Sequence, residues 1–141
     1  MDIKDKIITI LNSISDIKTI IYDSGFSANV RIDRKETPAA LLYLIKDWQL
    51  DISNGLQKEI ANIQVFFFDR AKFDTKGEEK DVIVDSMSLI AKEFLSKLLA
   101  DKTIEVEGDT IQMRSVFGQF DAFCVGVNVE LRIKEKQGQC L

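Results

Sequence analysis

The sequence predicts an α+β domain whose mainly antiparallel sheet carries two principal helices. Three observations lead there. Val125, Val127, Val129, Leu131 and Ile133 alternate strictly with Gly126, Asn128, Glu130, Arg132 and Lys134, the period of a strand with one dry face. Ile83, Met87, Ile90, Ala91, Phe94, Leu95 and Leu98 recur at helical spacing, with Asp85, Ser86, Lys92, Glu93, Ser96 and Lys97 opposite. Asn54-Gly55, the strongest hairpin signal in the chain, separates two apolar-rich runs. The helix stripe and the strand face are complementary apolar surfaces, and each needs the other for burial.

Taken in order, Ile3, Ile7, Ile10, Leu11, Ile14 and Ile17 predict a first helix over residues 2–15, with Asp2 placed to cap it. Thr19–Tyr22 reads as a short strand. Residues 23–37 read as a long loop, basic at Arg31, Arg34 and Lys35, a pattern typical of a solvated face. Thr37-Pro38 leaves two readings open, since Thr then Pro opens helices and Pro also opens edge strands. Trp48, Leu50 and Ile52 alternate with Gln49 and Asp51, so a strand leads into the Asn54-Gly55 turn. Its partner runs from there to Asp69 through Phe66-Phe67-Phe68. A polar loop over residues 72–80 holds Gly77. Glu78, Glu79 and Asp81 then favour the positive end of a helix over residues 79–100. A short strand over 103–106, a turn at Gly108-Asp109, a return strand over 111–117 and a turn over 117–121 precede the final alternating strand. The organisation expected is one domain over residues 1–136 and a loose tail over 137–141.

Composition supports this class. A chain of 141 residues fits one domain and buries about 70% of its unfolded surface, enough to need no staples. Hydrophobic residues make up 45% and charged residues 30%, and the net charge is −4. Duplex binding needs a surplus of Lys and Arg to neutralise phosphates, so sequence-specific nucleic-acid binding is not expected. The charged Met1–Lys6 segment does not suit a signal peptide, and no run reaches the roughly 18 apolar residues of a membrane span. Two cysteines, Cys124 and Cys140, make no disulfide framework. A cytoplasmic, reducing setting follows as the expectation.

Chemistry is sparse. The chain has no histidine, which removes Ser-His-Asp and Cys-His triads and all His-based metal sites. No glycine-rich phosphate loop occurs. Asp51-Ile52-Ser53-Asn54-Gly55 has its oxygens at the wrong positions for a calcium loop. Ser15-Asp16-Ile17-Lys18 meets the bare Ser-x-x-Lys pattern without its companion motifs. The sequence therefore predicts no catalytic residue, no cofactor site and no metal site.

The aromatics stand out instead. Phe66, Phe67 and Phe68 are consecutive, so in a strand they load both faces of the sheet. Phe117, Phe120 and Phe123 crowd one turn beside Gly118. This surplus points to an oligomer interface involving Phe66, Phe68, Phe117 and Phe120, with Arg31 and Arg34 on the long loop.

The order of elements adds a resemblance. Helix, long loop, Pro-led apolar segment, long strand, long helix, then hairpin and final alternating strand span nearly the whole chain. The pieces are Thr37-Pro38-Ala39 leading to residues 42–45, the strand at 63–68, the helix at 81–99, and Phe120-Asp121 followed by Gly126-Val127-Asn128-Val129. This layout resembles the tail terminator (tail completion) proteins of long-tailed bacteriophages and related minor tail proteins. The resemblance implies a non-enzymatic part of the virion tail, assembled in the host cytoplasm. It implies a ring, typically of six copies, that ends tail-tube growth and joins the tail to the head. The partners implied are other copies of the chain, the tail tube protein and a head completion protein. Without the resemblance, the same layout also suits a cellular ferredoxin-like regulatory or small-ligand-binding domain.

Overall fold

The computed structural model describes residues 2–22, 36–71, 76–119 and 124–140. Helix α1 (Ile3–Asn12) starts where Asp2 caps it: the Asp5 N–H donates to Asp2 Oδ1 at 2.8 Å. That backbone hydrogen bond, then Lys46, holds the Asp2 carboxyl below its usual range. Ile3, Ile7 and Leu11 form the buried face of the helix. Strand β1 (Thr19–Tyr22) follows as predicted.

Strand β2 (Ala39–Asp51) settles the two readings of Thr37-Pro38 in favour of a strand. Pro38 lies just before the first paired residue, where its missing N–H breaks no ladder bond, and its carbonyl accepts from the Lys18 N–H at 2.8 Å. The turn at residues 52–55 sits where the sequence places it. The Asp51 carboxylate accepts from the Ser53 N–H at 3.1 Å, the Ser53 hydroxyl at 2.7 Å and the Asn54 amide at 2.9 Å. Gly55 supplies the positive φ of 64° that closes it. Strand β3 (Leu56–Arg70) returns beside β2 in unbroken register, from Asp51↔Leu56 to Ala39↔Phe68.

Helix α2 (Gly77–Ala100) begins two residues before the predicted start. Strands β4 (Ile104–Val106), β5 (Gln112–Gln119), β6 (Cys124–Glu135) and β7 (Gln139–Cys140) complete the order. β5 continues past Phe117, where the sequence predicts a turn, through a register shift between Val116 and Gln119. β7 lies in the stretch expected as a loose tail, yet it pairs with Leu56 and Gln57 at the start of β3.

The sheet runs β1-β2-β3-β6, followed by a lane that β4 and β5 share along the far edge of β6. β1 and β2 are parallel, and the other pairs are antiparallel. This is the mainly antiparallel α+β fold that the sequence predicts.

Alternation along the strands sorts the core. On one face Ala40, Leu42, Leu44, Ala61, Ile63, Val65, Phe67, Val127, Val129 and Ile133 meet both helices. Met87, Ile90, Ala91, Phe94, Leu95 and Leu98 are the α2 contribution, close to the predicted stripe. Phe94 lies against Phe67, centroids 5.5 Å apart. Val127, Val129 and Ile133 of the predicted strand face lie in this cluster, with Leu131 packed on it. The two helices are also tied by charge, since Lys97 Nζ donates to the Ser13 carbonyl at 3.1 Å and its hydroxyl at 2.9 Å. On the opposite face a smaller cluster joins Ile21, Ala39, Leu41, Phe66, Phe68 and Cys124.

β6 approaches β3 closely at Gly126, paired with Phe68. A Cβ there would lie 1.8 Å from the Phe67 carbonyl oxygen and 2.8 Å from Phe68 Cα, both backbone atoms. No side chain fits without separating the two strands.

Two outcomes test this packing. Leu98→Asp places a carboxylate in the helix–sheet core and should cost at least about 4 kcal/mol. Glu93→Ala, which loses only an exposed 3.8 Å pair with Lys97, should cost under about 0.5 kcal/mol. Denaturant midpoints compare them, and similar small effects would refute the packing. Gly126→Ala should destabilise by about 3 kcal/mol, and a wild-type midpoint would show that β6 does not approach β3 as described.

Candidate functional site

Among the described residues, the groups that could carry chemistry are dispersed or already paired. Among the described residues no cluster of three or more Cys, Asp or Glu could hold a metal ion. Ser15 and Lys18 are both exposed between α1 and β1. Glu78 and Glu79 are exposed on the first turn of α2, and Asp81 is exposed just after it, where the helix dipole accounts for them. Cys124 lies buried in the smaller apolar cluster, and that burial pushes its thiol up to about 11. At neutral pH it stays protonated and makes a poor nucleophile.

Among the described residues the second face of the sheet carries no helix, and this helix-free face is polar at its centre. Arg132 Nε lies 2.9 Å from Glu107 Oε2, and its Nη1 donates to Asn62 Oδ1 at 3.1 Å. Asn62 in turn donates to Asp47 Oδ2 at 3.3 Å. Beside them, the Gln64 and Asn128 amides both donate to Glu130 Oε1, at 3.3 and 3.4 Å. An open cleft of about 410 Å³ lies over this lattice, lined in part by Tyr43 and Ile45. Its charges answer one another, and a compact ligand would have to displace those partners.

The distinctive feature is the outer edge of β2. β1 pairs only with residues 39–42. Among the described residues, nothing pairs with the outer edge of residues 43–51. Nine residues of edge thus offer unpaired backbone groups, the arrangement that invites another strand. Large apolar side chains are exposed there on both faces, interspersed with Asp47, Gln49 and Asp51. Tyr43 and Ile45 are 39% and 49% exposed on the helix-free face. Trp48 and Leu50 are 59% and 51% exposed on the face of Leu42 and Leu44, beyond the reach of α1. Ten helical residues cover about 15 Å, whereas thirteen strand residues span about 44 Å.

Lys46, the cation that would ordinarily guard such an edge, is engaged inward. Its Nζ lies 2.9 Å from Asp2 Oδ2 and 3.6 Å from Glu59 Oε1. The Asp2 hydrogen bond above all, and the Glu59 charge, raise its pKa.

The predicted interface residues fall in different places. Phe66 and Phe68 are buried within the chain, their rings stacked at 5.0 Å, so this aromatic pair is core and not exposed interface. Phe117 is half exposed on β5, whose outer edge is also unpaired among the described residues. Phe120, Arg31 and Arg34 lie outside the described residues. Tyr43, Ile45, Trp48 and Leu50 are absent from the predicted set. For Trp48 and Leu50 the signal was the alternation at Trp48, Leu50 and Ile52, together with a helix too short to cover it.

The chain matches no known protein family profile, and no curated protein is significantly similar to it.

The thiols give a direct check. A thiol reagent at pH 8 should modify Cys140, which is exposed, and spare Cys124: one label per native chain, two in denaturant. Rapid native labelling of Cys124, read by mass spectrometry, would contradict its burial.

Proposed function

We propose that the chain is a non-enzymatic structural protein of the tail-terminator kind, which associates head to tail with its own copies in a ring. In this reading the ring, typically of six subunits, ends a phage tail tube and joins it to the head. The partners are the tail tube protein and a head completion protein. The protein works in the host cytoplasm during assembly and in the virion tail afterwards.

The observation that carries the reading is the long edge of β2, unpaired among the described residues, with apolar side chains exposed on both faces. A monomeric soluble domain ordinarily blunts such an edge, because it templates association. Here the one lysine on it is turned inward to Asp2 and Glu59. Head-to-tail contact between unlike surfaces is what closes a ring by rotation. The scattered titratable groups and the self-satisfied polar face suit a part whose work is done by shape. The resemblance in element order supplies the tail itself.

Mixing purified protein with growing tail tubes and imaging them tests this directly. Rings seated at one tube end, with tube length fixed, are the expected result. Tubes that elongate unchanged, together with saturable binding of a small metabolite, would move the assignment to a ferredoxin-like regulatory domain.

A further inference from the structure

We infer that the unpaired edge of β2 takes the β5 edge of a second copy, antiparallel, with Asp47 opposite Arg114. This rests on the self-associating part of the proposed function and names the surfaces that would do it.

Strand direction comes first. Across β2, β3, β6 and β5 every neighbouring pair is antiparallel, so β2 and β5 run in opposite senses at the two sides of a four-strand run. Copies placed side by side by rotation about an axis along the strands therefore meet β2 to β5 as an antiparallel pair. The sheet then continues from subunit to subunit.

The side chains select the register. On β2 the helix-free face shows Ile45, Asp47 and Gln49, and the helix face shows Lys46 and Trp48. On β5, Gln112, Arg114 and Val116 share the helix-free face, while Met113 and Ser115 share the other, as their β6 partners require. Setting Asp47 against Arg114 puts Ile45 opposite Val116 and Gln49 opposite Gln112. On the helix face, Trp48 then meets Met113 and Lys46 meets Ser115. Opposite charges, β-branched neighbours and a sulfur–aromatic contact are all favourable cross-strand pairs. The five pairs end at Val116, where the β5 register shift begins.

The stagger has the size that a closed sheet needs. Ile45 is level with Arg132 on β6, whereas Val116 is level with Gly126, six residues away. Each subunit would thus advance about 20 Å along the strands over four strands, or about 19 Å across them. That is a tilt of roughly 45°, at the upper end of the range for closed barrels.

Two complementary variants test the register in a Cys140→Ser background. Gln49→Cys and Gln112→Cys are prepared separately, both at exposed positions. Within one chain β2 and β5 lie three strand spacings apart, about 14 Å, too far for a disulfide. Any 49–112 bond is therefore between copies. Under mild oxidation, alone and with tube ends present, the mixture should give a covalent dimer and neither variant alone should. A dimer from Gln49→Cys alone would mean β2 pairs with β2 and would overturn the inference, as would no dimer under either condition.

A charge exchange provides the second arm. Asp47→Arg alone and Arg114→Asp alone should each associate at least ten-fold more weakly by sedimentation, and mixing them should restore association. Three equal affinities would overturn the pairing. Rings on tubes without the 49–112 bond would remove this inference and leave the proposed function. The bond without tube binding would do the reverse.

Discussion

The fold depends on β3 being paired on both sides. β2 binds one edge along the whole pairing from Leu56 to Phe68, and β6 with β7 takes the other. A strand held on both edges cannot rotate about its axis, so Phe66, Phe67 and Phe68 must point alternately to two faces. Phe67 goes to the helix side and meets Phe94. Phe66 and Phe68 go to the other side and stack on each other. One short aromatic run thereby creates both apolar clusters, and both helices are placed by the demand of the Phe67 side for cover. Gly126 is the corresponding concession on β6, where a backbone-only residue lets β6 lie close to β3.

The same strand length leaves the edge exposed. β2 and β3 are thirteen and fifteen residues long, and the helix-side residues of β2 join the main core only from Ala40 to Leu44. Beyond that, Lys46 reaches back to Asp2 at the N-terminal end of α1, so the last helical contact with the ribbon is ionic. Past it Trp48 and Leu50 are more than half exposed, with no layer over them among the described residues. Each half of the ribbon is therefore assigned a different use by one mismatch in length: core where helix lies above, open surface where it does not.

Much of this was legible in the sequence where a periodic pattern met a matching partner. The alternation from Val125 to Ile133 and the stripe from Ile83 to Leu98 gave the strand, the helix and their contact, because burial on one face leaves a periodic trace. Asn54-Gly55 gave the turn because positive φ has a residue preference. Thr37-Pro38 stayed ambiguous because proline suits the first position of either element, and only the pairing of Ala39 with Thr19 and Phe68 decides between them. The interface residues were misplaced at Phe66 and Phe68 for a related reason. Alternation says that two faces are loaded, but not that the chain itself covers both. The close approach at Gly126 leaves no local trace, since it is set by a strand more than fifty residues away.

The turn at residues 52–55 also divides the sheet in terms of chain entropy. Closing β2 onto β3 needs a loop of four residues, whereas the nearest β3–β6 pair, Arg70 with Cys124, encloses fifty-three. On the logarithmic cost of loop closure that difference is about 2 kcal/mol against β6. The ribbon is thus the inexpensive half of the sheet to close, and β6 the half whose pairing costs more chain entropy. The edge of β3 that β6 fills is of the same kind as the edge that β2 shows, among the described residues, in the finished fold, so the native molecule still displays a surface of the sort its own assembly closes.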